Sequence, residues 1–361
     1  MRLGLVGWCT ASGNGGMNTD IATLAPFVTK WLIPEHPNHE IHEPYLSKAK
    51  TSVETIISSV HSKPEEIDSF FDGIDGLLYV EHPVFREKHF GHYDIVSDCC
   101  RRNLKVFGIP MWEWWPESES WSLNTSALWA VTRYTSSYLK SLSIVLGSRG
   151  LHPKWSNNIH GSRWGVNTND FSFKLRTSIQ KVVFVAGNGG YKDRKAGAIL
   201  LPRLINLASQ RKMQVDIFSQ RSILDINNLP EGFAVHEKTF PDRSSAYDDG
   251  DLFLFPSYWE GLCHGIYEAS YSGGIVITTD HPPMNECVPA LKIPVTHCLR
   301  EKLDKPINKA IPCMDSLERL VLSLYGEKCE SLSLLAHKWV ANERYLPDTL
   351  DELYAAFAGE L

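Results

Sequence analysis

Short, almost continuously apolar runs alternate along the chain with longer stretches in which apolar residues recur every three or four positions. The short runs are Leu3–Gly7, Gly76–Val80, Lys105–Met111, Val182–Ala186, Val215–Ser219, Phe233–His236, Leu252–Phe255 and Ile275–Thr278. Their lack of polar alternation predicts strands covered on both faces, as in parallel sheets. The longer stretches, such as Ala196–Arg211 and Ser316–Tyr325, predict helices, and Leu332–Leu361 reads as helix broken at Pro347. Strand and helix alternate throughout, so the expected fold class is α/β with doubly wound sheets.

The pattern runs through the chain twice. Residues 156–177 are largely polar and irregular, and a new strand then leads into a glycine loop. This predicts a first Rossmann-like domain over 1–174 and a second over 175–342. Residues 343–361 are expected as a C-terminal helix packing back on the first domain. A length of 361 residues suits two such domains.

Composition narrows the function. Hydrophobic residues at 43% and charged residues at 22% describe an ordinary globular protein. A formal net charge of -6 supplies no global basic field for nucleic acid or anionic membrane. The apolar start Leu3–Val6 gives way at once to glycine and polar residues, unlike a signal peptide, and no run is long enough to span a bilayer. The eight cysteines show no Cys-x-x-Cys spacing, which argues against a disulfide framework or a structural zinc site. The expected location is cytoplasmic.

The candidate chemistry concentrates in Pro256-Ser257-Tyr258-Trp259-Glu260-Gly261-Leu262-Cys263-His264-Gly265-Ile266-Tyr267-Glu268-Ala269. Glu260 follows a predicted strand and can accept hydrogen bonds from sugar hydroxyls. The loop amides and the start of the following helix can hold a diphosphate, and Glu268 can accept from two ribose hydroxyls. Earlier in the same half, Val182–Ala186 runs into Gly187-Asn188-Gly189-Gly190, with Arg194 and Lys195 beyond it. Glycine lets a backbone approach phosphate closely, and the two cations would offset charge developing on a departing diphosphate. A plain glycine turn with solvated basic residues is the other reading of that segment. Cys263 beside His264 suggests neither a nucleophile pair nor a metal pair, because adjacent side chains do not converge.

Phe255–Asp280 resembles the donor-site signature of retaining GT-B glycosyltransferases, specifically glycosyltransferase family four. The match lies at Pro256, Ser257, Glu260, Gly261, Glu268, Ala269, Gly273 and Gly274. Arg194-Lys195 resembles the family's basic pair, and Trp164-Gly165-Val166-Asn167 with Phe171 resembles its segment before the linker. The resemblance implies two Rossmann-like domains facing each other across a cleft. It also implies metal-independent transfer, with retention, of a hexosyl or pentosyl group from a nucleotide-sugar. No cofactor is expected, and a UDP-sugar is the expected donor. Glu260 would contact the donor sugar and Glu268 the ribose. Gly187, Asn188, Leu262, Cys263, His264 and Gly265 would surround sugar and diphosphate, and Lys195 with Arg194 would neutralise the latter. One departure is visible: Gly187-Asn188-Gly189 stands where the family often has Gly-Arg.

In the first half, Gly15 and Gly16 occupy the place of a family Gly-Gly turn that opens the first helix near the donor phosphate. Trp112-Glu113-Trp114-Trp115 follows a strand, as an aromatic-Glu pair does in some members. Glu113 would then lie near the reacting carbon or the acceptor hydroxyl, and Trp112, Trp114 and Trp115 are candidates to stack on an acceptor. His82 ends another predicted strand, where parallel sheets bind ligands. The expected acceptor is a saccharide, a lipid-linked sugar or a small molecule. Two alternatives stay open. One is a phage-type DNA-modifying glycosyltransferase acting on a hydroxylated base, with Arg101, Arg102 and Lys105 as its basic cluster. The other is a non-catalytic sugar-binding protein on the same fold.

Overall fold

A computed structural model of the chain describes residues 1–85, 93–116, 118–187, 194–223, 229–240, 242–302 and 306–360. The chain forms two compact units, Met1–Trp164 with Pro347–Leu361, and Gly165–Leu346. Residues 165–174, expected with the first domain, pack instead with the second. Their backbone explains this: the Val166 amide donates to the Arg344 carbonyl at 2.6 Å, and the Lys174 amide to the Ser272 carbonyl at 3.2 Å.

The first unit is built on a seven-stranded parallel sheet. Its strands are β1 (Leu3–Val6), β2 (Val28–Glu35), β3 (Glu54–Ser59), β4 (Gly76–Val80), β5 (Lys105–Ile109), β6 (Ala127–Trp129) and β7 (Ile159–His160). Their order is β3-β2-β1-β4-β5-β6-β7. Helices α1 (Gly13–Leu24), α2 (Glu43–Ala49), α3 (Ile95–Arg101), α4 (Ser120–Asn124) and α5 (Arg133–Ser148) connect them. Three of these helices start where a side-chain oxygen satisfies an orphan amide. Ser12 accepts from the Gly15 amide, Asp94 from Val96 and Ser97, and Thr132 from Thr135. The central strands β1 and β4 are fully buried, in line with their unbroken apolar character.

The second unit holds a six-stranded parallel sheet, β8 (Lys181–Gly187), β9 (Gln214–Ser219), β10 (Phe233–Glu237), β11 (Leu252–Phe255), β12 (Ile275–Thr279) and β13 (Leu291–Ile293). Its order is β10-β9-β8-β11-β12-β13. An antiparallel hairpin, β14 (Val295–Lys302) and β15 (Pro306–Pro312), follows. The helices are α6 (Gly197–Arg211), α7 (His264–Tyr271), α8 (Met314–Leu324) and α9 (Glu330–Glu343). A last helix, α10 (Leu346–Ala358), carries Pro347 in its first turn, where proline's missing amide costs nothing. Its residue Phe357 stacks on Phe107 of β5 with ring centroids 4.4 Å apart, which ties the chain end to the first sheet.

Both sheets are doubly wound. Strand order reverses between β1 and β4 in the first unit and between β8 and β11 in the second. Loops leaving the carboxyl ends of those strand pairs border the crevice where such sheets bind ligands. Among the described residues, no helix is long and apolar enough to cross a membrane.

Candidate functional site

In the second unit the loops after β8 and β11 bring three predicted residues together. Lys195 Nζ lies 2.6 Å from Glu260 Oε1, and Arg194 Nε lies 3.5 Å from Glu260 Oε2. Ser257 donates its hydroxyl to Glu260 Oε1 at 2.8 Å. The carboxylate is almost entirely enclosed, with 3% of the residue exposed. Burial alone would push its pKa up, but Arg194 and Lys195 outweigh that and hold it below the ordinary value. Burial likewise works against the charge of Lys195, and Glu260 more than restores it. The pair is therefore charged. An ammonium has three donors, so Lys195 can serve Glu260 and an incoming oxyanion together. Its Nζ also lies 5.7 Å from the Phe255 ring centroid.

Glu268 stands on α7 and is equally enclosed. Its Oε1 accepts from Arg243 Nε at 2.9 Å and from Arg243 Nη2, and its Oε2 accepts from the Tyr247 hydroxyl at 2.8 Å. Burial raises its pKa, and Arg243 and then His264 pull it below the ordinary range. His264 Nε2 is 3.2 Å from the Gly165 carbonyl oxygen, which can only accept, so Nε2 carries a proton. Nδ1 of the same ring lies 3.2 Å from Arg243 Nη2 and 3.4 Å from Glu268 Oε1.

The turn between the two glutamates is tightly built. Cys263 precedes α7 in the left-handed region, with φ 58, and no side chain caps the helix. Gly265 is needed sterically: a Cβ there would stand 2.9 Å from the Phe255 ring and 2.9 Å from the Tyr247 hydroxyl. Leu262 and Cys263 are buried, so any contact they make with a ligand goes through backbone. Burial, then the negative charge of Glu260, pushes the Cys263 thiol far up, which makes it a poor nucleophile. Gly187 closes β8, and Asn188 lies outside the described residues.

The first unit has a crevice of its own at β1 and β4. Gly15 and Gly16 lie within the first turn of α1 rather than ahead of the helix. A Cβ on Gly15 would sit 1.9 Å from the Thr10 carbonyl oxygen, so the close backbone approach demands glycine. Glu81, just past β4, has φ 68, a strained conformation for a residue with a side chain. It accepts from Asn14 Nδ2 at 2.6 Å, and Asn14 Oδ1 accepts in turn from Asn18 Nδ2 at 2.9 Å. His82 Nδ1 is 4.0 Å from Glu81 Oε2, and the side chain is partly exposed. Glu113 is buried.

The tryptophan segment divides. Trp115 is fully enclosed, edge-on to Trp121 at 5.2 Å and Trp155 at 5.9 Å. It is a core residue, and its ring has no face left for a ligand. Trp112 is also buried, edge-on to Tyr134 at 5.1 Å. Only Trp114, 41% exposed, has the open face that stacking requires.

Sequence reasoning missed Arg243, Tyr247, Asn14 and Glu81. Arg243 directly precedes a short 3-10 turn, Ser244–Ala246, which Asp242 Oδ1 pins by accepting from both serine hydroxyls and the Ser245 amide. Among the described residues no group of three or more His, Cys, Asp or Glu side chains is placed to hold a metal ion.

These paired α/β units have known structural counterparts, and the fold is GT-B. The chain is similar to a sucrose-phosphate synthase from Thermosynechococcus elongatus, with TM-score 0.63 and 12% identity over 100% of both chains. It is similar to the catalytic domain of starch synthase IV from Arabidopsis thaliana bound to ADP and acarbose, with TM-score 0.63 and 9% identity over 100% of this chain and 99% of that one. A UDP-GlcNAc 2-epimerase from Neisseria meningitidis, bound to UDP-GlcNAc, matches with TM-score 0.56 and 11% identity over 99% and 100%. No family profile and no curated protein sequence matches the chain.

Proposed function

We propose that this protein is a retaining glycosyltransferase that moves a sugar from a nucleotide-activated donor to an acceptor hydroxyl. The fold alone does not choose this chemistry, since it also serves an epimerase. The observation that carries the reading is the Lys195–Glu260–Arg194 cluster at the switch point of the second sheet, beside the uncapped start of α7. Two cations and a helix start without a side-chain cap suit a diphosphate, and a buried charged carboxylate beside them suits sugar hydroxyls.

In this scheme the bond from the anomeric carbon to the diphosphate oxygen breaks as the acceptor oxygen bonds to that carbon on the same face. The acceptor proton passes to the departing diphosphate. Lys195 and Arg194 stabilise the negative charge that collects there. The first unit would present the acceptor, with Glu113, His82 and Trp114 as its contacts. Neither a metal nor a cofactor enters the scheme, so transfer should persist in EDTA. A DNA-base acceptor is the less supported reading. Arg101 and Arg102 both pair with Asp98, and Arg102 also pairs with Asp68, which reduces the charge they offer a phosphate backbone.

The test is a thermal-shift screen with UDP-, GDP- and ADP-sugars, because a ligand that binds the folded state raises its melting temperature. One nucleotide series should stabilise the protein, and NMR of the product should show the donor's anomeric configuration kept. If no nucleotide-sugar shifts the transition, or if the product is inverted, the reading fails.

A further inference from the structure

We propose that the outer face of α5 is a docking surface for an anionic phospholipid membrane, with Ile144 and Val145 seated among the head groups and Lys140, Arg149 and Lys154 facing their phosphates. The inference does not rest on the nucleotide-sugar reading above.

The sequence sets this region apart from the rest of the chain. Between Ser120 and Trp164 there is no aspartate or glutamate, while Arg133, Lys140, Arg149, Lys154 and Arg163 are cationic, in a chain whose formal net charge is -6. Helix α5 lies at the centre of that stretch. Its Leu139, Leu142 and Leu146 are buried in the core of the first unit. Ser137, Lys140, Ser141, Ile144, Val145 and Ser148 fall on the other side and are exposed, since residues three and four apart share a helix face. Ile144 is 75% exposed and Val145 42%. Most of their neighbours on that face are short serines, so the two apolar side chains stand out as a ridge. Arg149 and Lys154 follow where the helix ends, and both are exposed.

Helix α3 packs into the same core as α5, and its carboxylates are engaged locally. Asp94 accepts from the Val96 and Ser97 amides, and Asp98 from Tyr93, Arg101 and Arg102. The acids of α10 belong to the opposite face of the sheet. Phe357 of α10 stacks on Phe107, whereas Val106, the residue before it on β5, points into the core under α5. Arg163 pairs with Glu352 of α10 and so lies outside the α5 face. A basic face gathers anionic lipid head groups, and an apolar ridge between its cations inserts at the boundary of the acyl chains. Nucleic acid would use the cations alone and leave Ile144 and Val145 without a role. With few cations and two apolar side chains, the attachment is reversible and sensitive to salt.

The experiment is co-sedimentation of the full chain with vesicles of phosphatidylcholine, pure or with about 30% phosphatidylglycerol. The chain should pellet with the mixed vesicles, stay in solution with the pure ones, and come off at about 0.5 M salt. Ile144→Gln with Val145→Gln should weaken that binding about tenfold or more. Lys140→Gln with Lys154→Gln should weaken it by about as much. Glutamine is a good helix former and all four positions are exposed, so the variants should keep the wild-type circular dichroism spectrum. If either pair does not, Ile144→Gln or Lys140→Gln alone takes its place. Failure to pellet with the mixed vesicles overturns the proposal, and so does binding that either pair of substitutions leaves unchanged. If a mixed-sequence DNA duplex is what binds, with no change on Ile144→Gln and Val145→Gln, the face is one for nucleic acid and the proposal falls. Thermal shifts with nucleotide-sugars should be the same in the variants and the wild type, which keeps the two readings separate.

Discussion

Each sheet has a crevice where its strand order reverses, and the two crevices are furnished differently. In the second unit, cations and carboxylates gather in pairs, Lys195 and Arg194 on Glu260 and Arg243 on Glu268. The helix that opens there, α7, has no side-chain cap. In the first unit the same topological position holds a chain of neutral amides ending on a carboxylate, Asn18 to Asn14 to Glu81. The helix that opens there, α1, is capped by its own Ser12. One fold thus yields a crevice lined by cation–carboxylate pairs and one lined by amides and a carboxylate without a lysine or arginine among these contacts. The side chains of two loops and the cap of one helix make the difference.

The sharpest way to break that contrast is to remove a cation from the second unit. Lys195→Ala leaves Glu260 buried with its nearest counter-charge gone. Transfer should fall by about 10²–10³-fold, the usual cost of losing one stabilising group at a developing oxyanion. The protein should also lose about 3–5 kcal/mol of stability, as when one member of a buried ion pair is deleted. Denaturant unfolding and turnover measured on the same variant separate the two effects. Adding Glu260→Gln should recover much of the stability, because the stranded charge is gone, and none of the transfer. Recovery of transfer in that double variant would show that the cluster is structural only.

A smaller perturbation sharpens the comparison from the other side. Asn14→Ala removes the donor to Glu81 at the first unit's crevice. The loss of one hydrogen bond to a charged group should cost about 1.5–3 kcal/mol in chemical unfolding. Nucleotide affinity should match wild type, because the cations proposed to hold the diphosphate, Arg194 and Lys195, stand in the second unit. A parallel weakening of nucleotide binding would mean that the first unit helps to hold the donor, and the contrast would have to be redrawn.

The parts of this architecture that are legible in the linear chain are those whose environment leaves a local trace. Strands β1, β4, β8, β11 and β12 are covered on both faces, so their residues are uninterruptedly apolar. Strand β2 carries Lys30 and Pro34, and β3 lies at the sheet edge with Glu54, Ile57 and Ser59 exposed, so neither stands out as a buried run. Glu260, His264 and Glu268 share one continuous loop and helix and are visible as a spacing. Arg243 and Tyr247 flank a single 3-10 turn before β11, too short to leave a pattern in the sequence, and only the folded chain brings them to Glu268. The density of tryptophan at 112–115 marks an aromatic site, but the choice of Trp114 as the open ring depends on what Trp115 meets elsewhere in the core.

The mildest test is acid titration of the second crevice. Glu260 and Glu268 both start from an ordinary carboxylate value of 4.5 and are held below it, because Arg194 and Lys195, or Arg243 and His264, overcome the opposing effect of burial. The unfolded chain therefore takes up these protons first as pH falls, so it binds more protons than the folded state through that window. The stability these groups contribute is complete above the ordinary value and is lost as pH drops through it toward the lower folded values. In Glu268→Gln the position no longer titrates. The variant should be less stable than wild type at pH 7, with the gap in unfolding free energy narrowing below pH 4.5. Urea unfolding across that range reads the gap directly. A difference that stays constant from neutral to acid pH would mean that the Arg243–Glu268 pairing contributes packing rather than charge, and the electrostatic half of the contrast between the two crevices would rest on Glu260 alone.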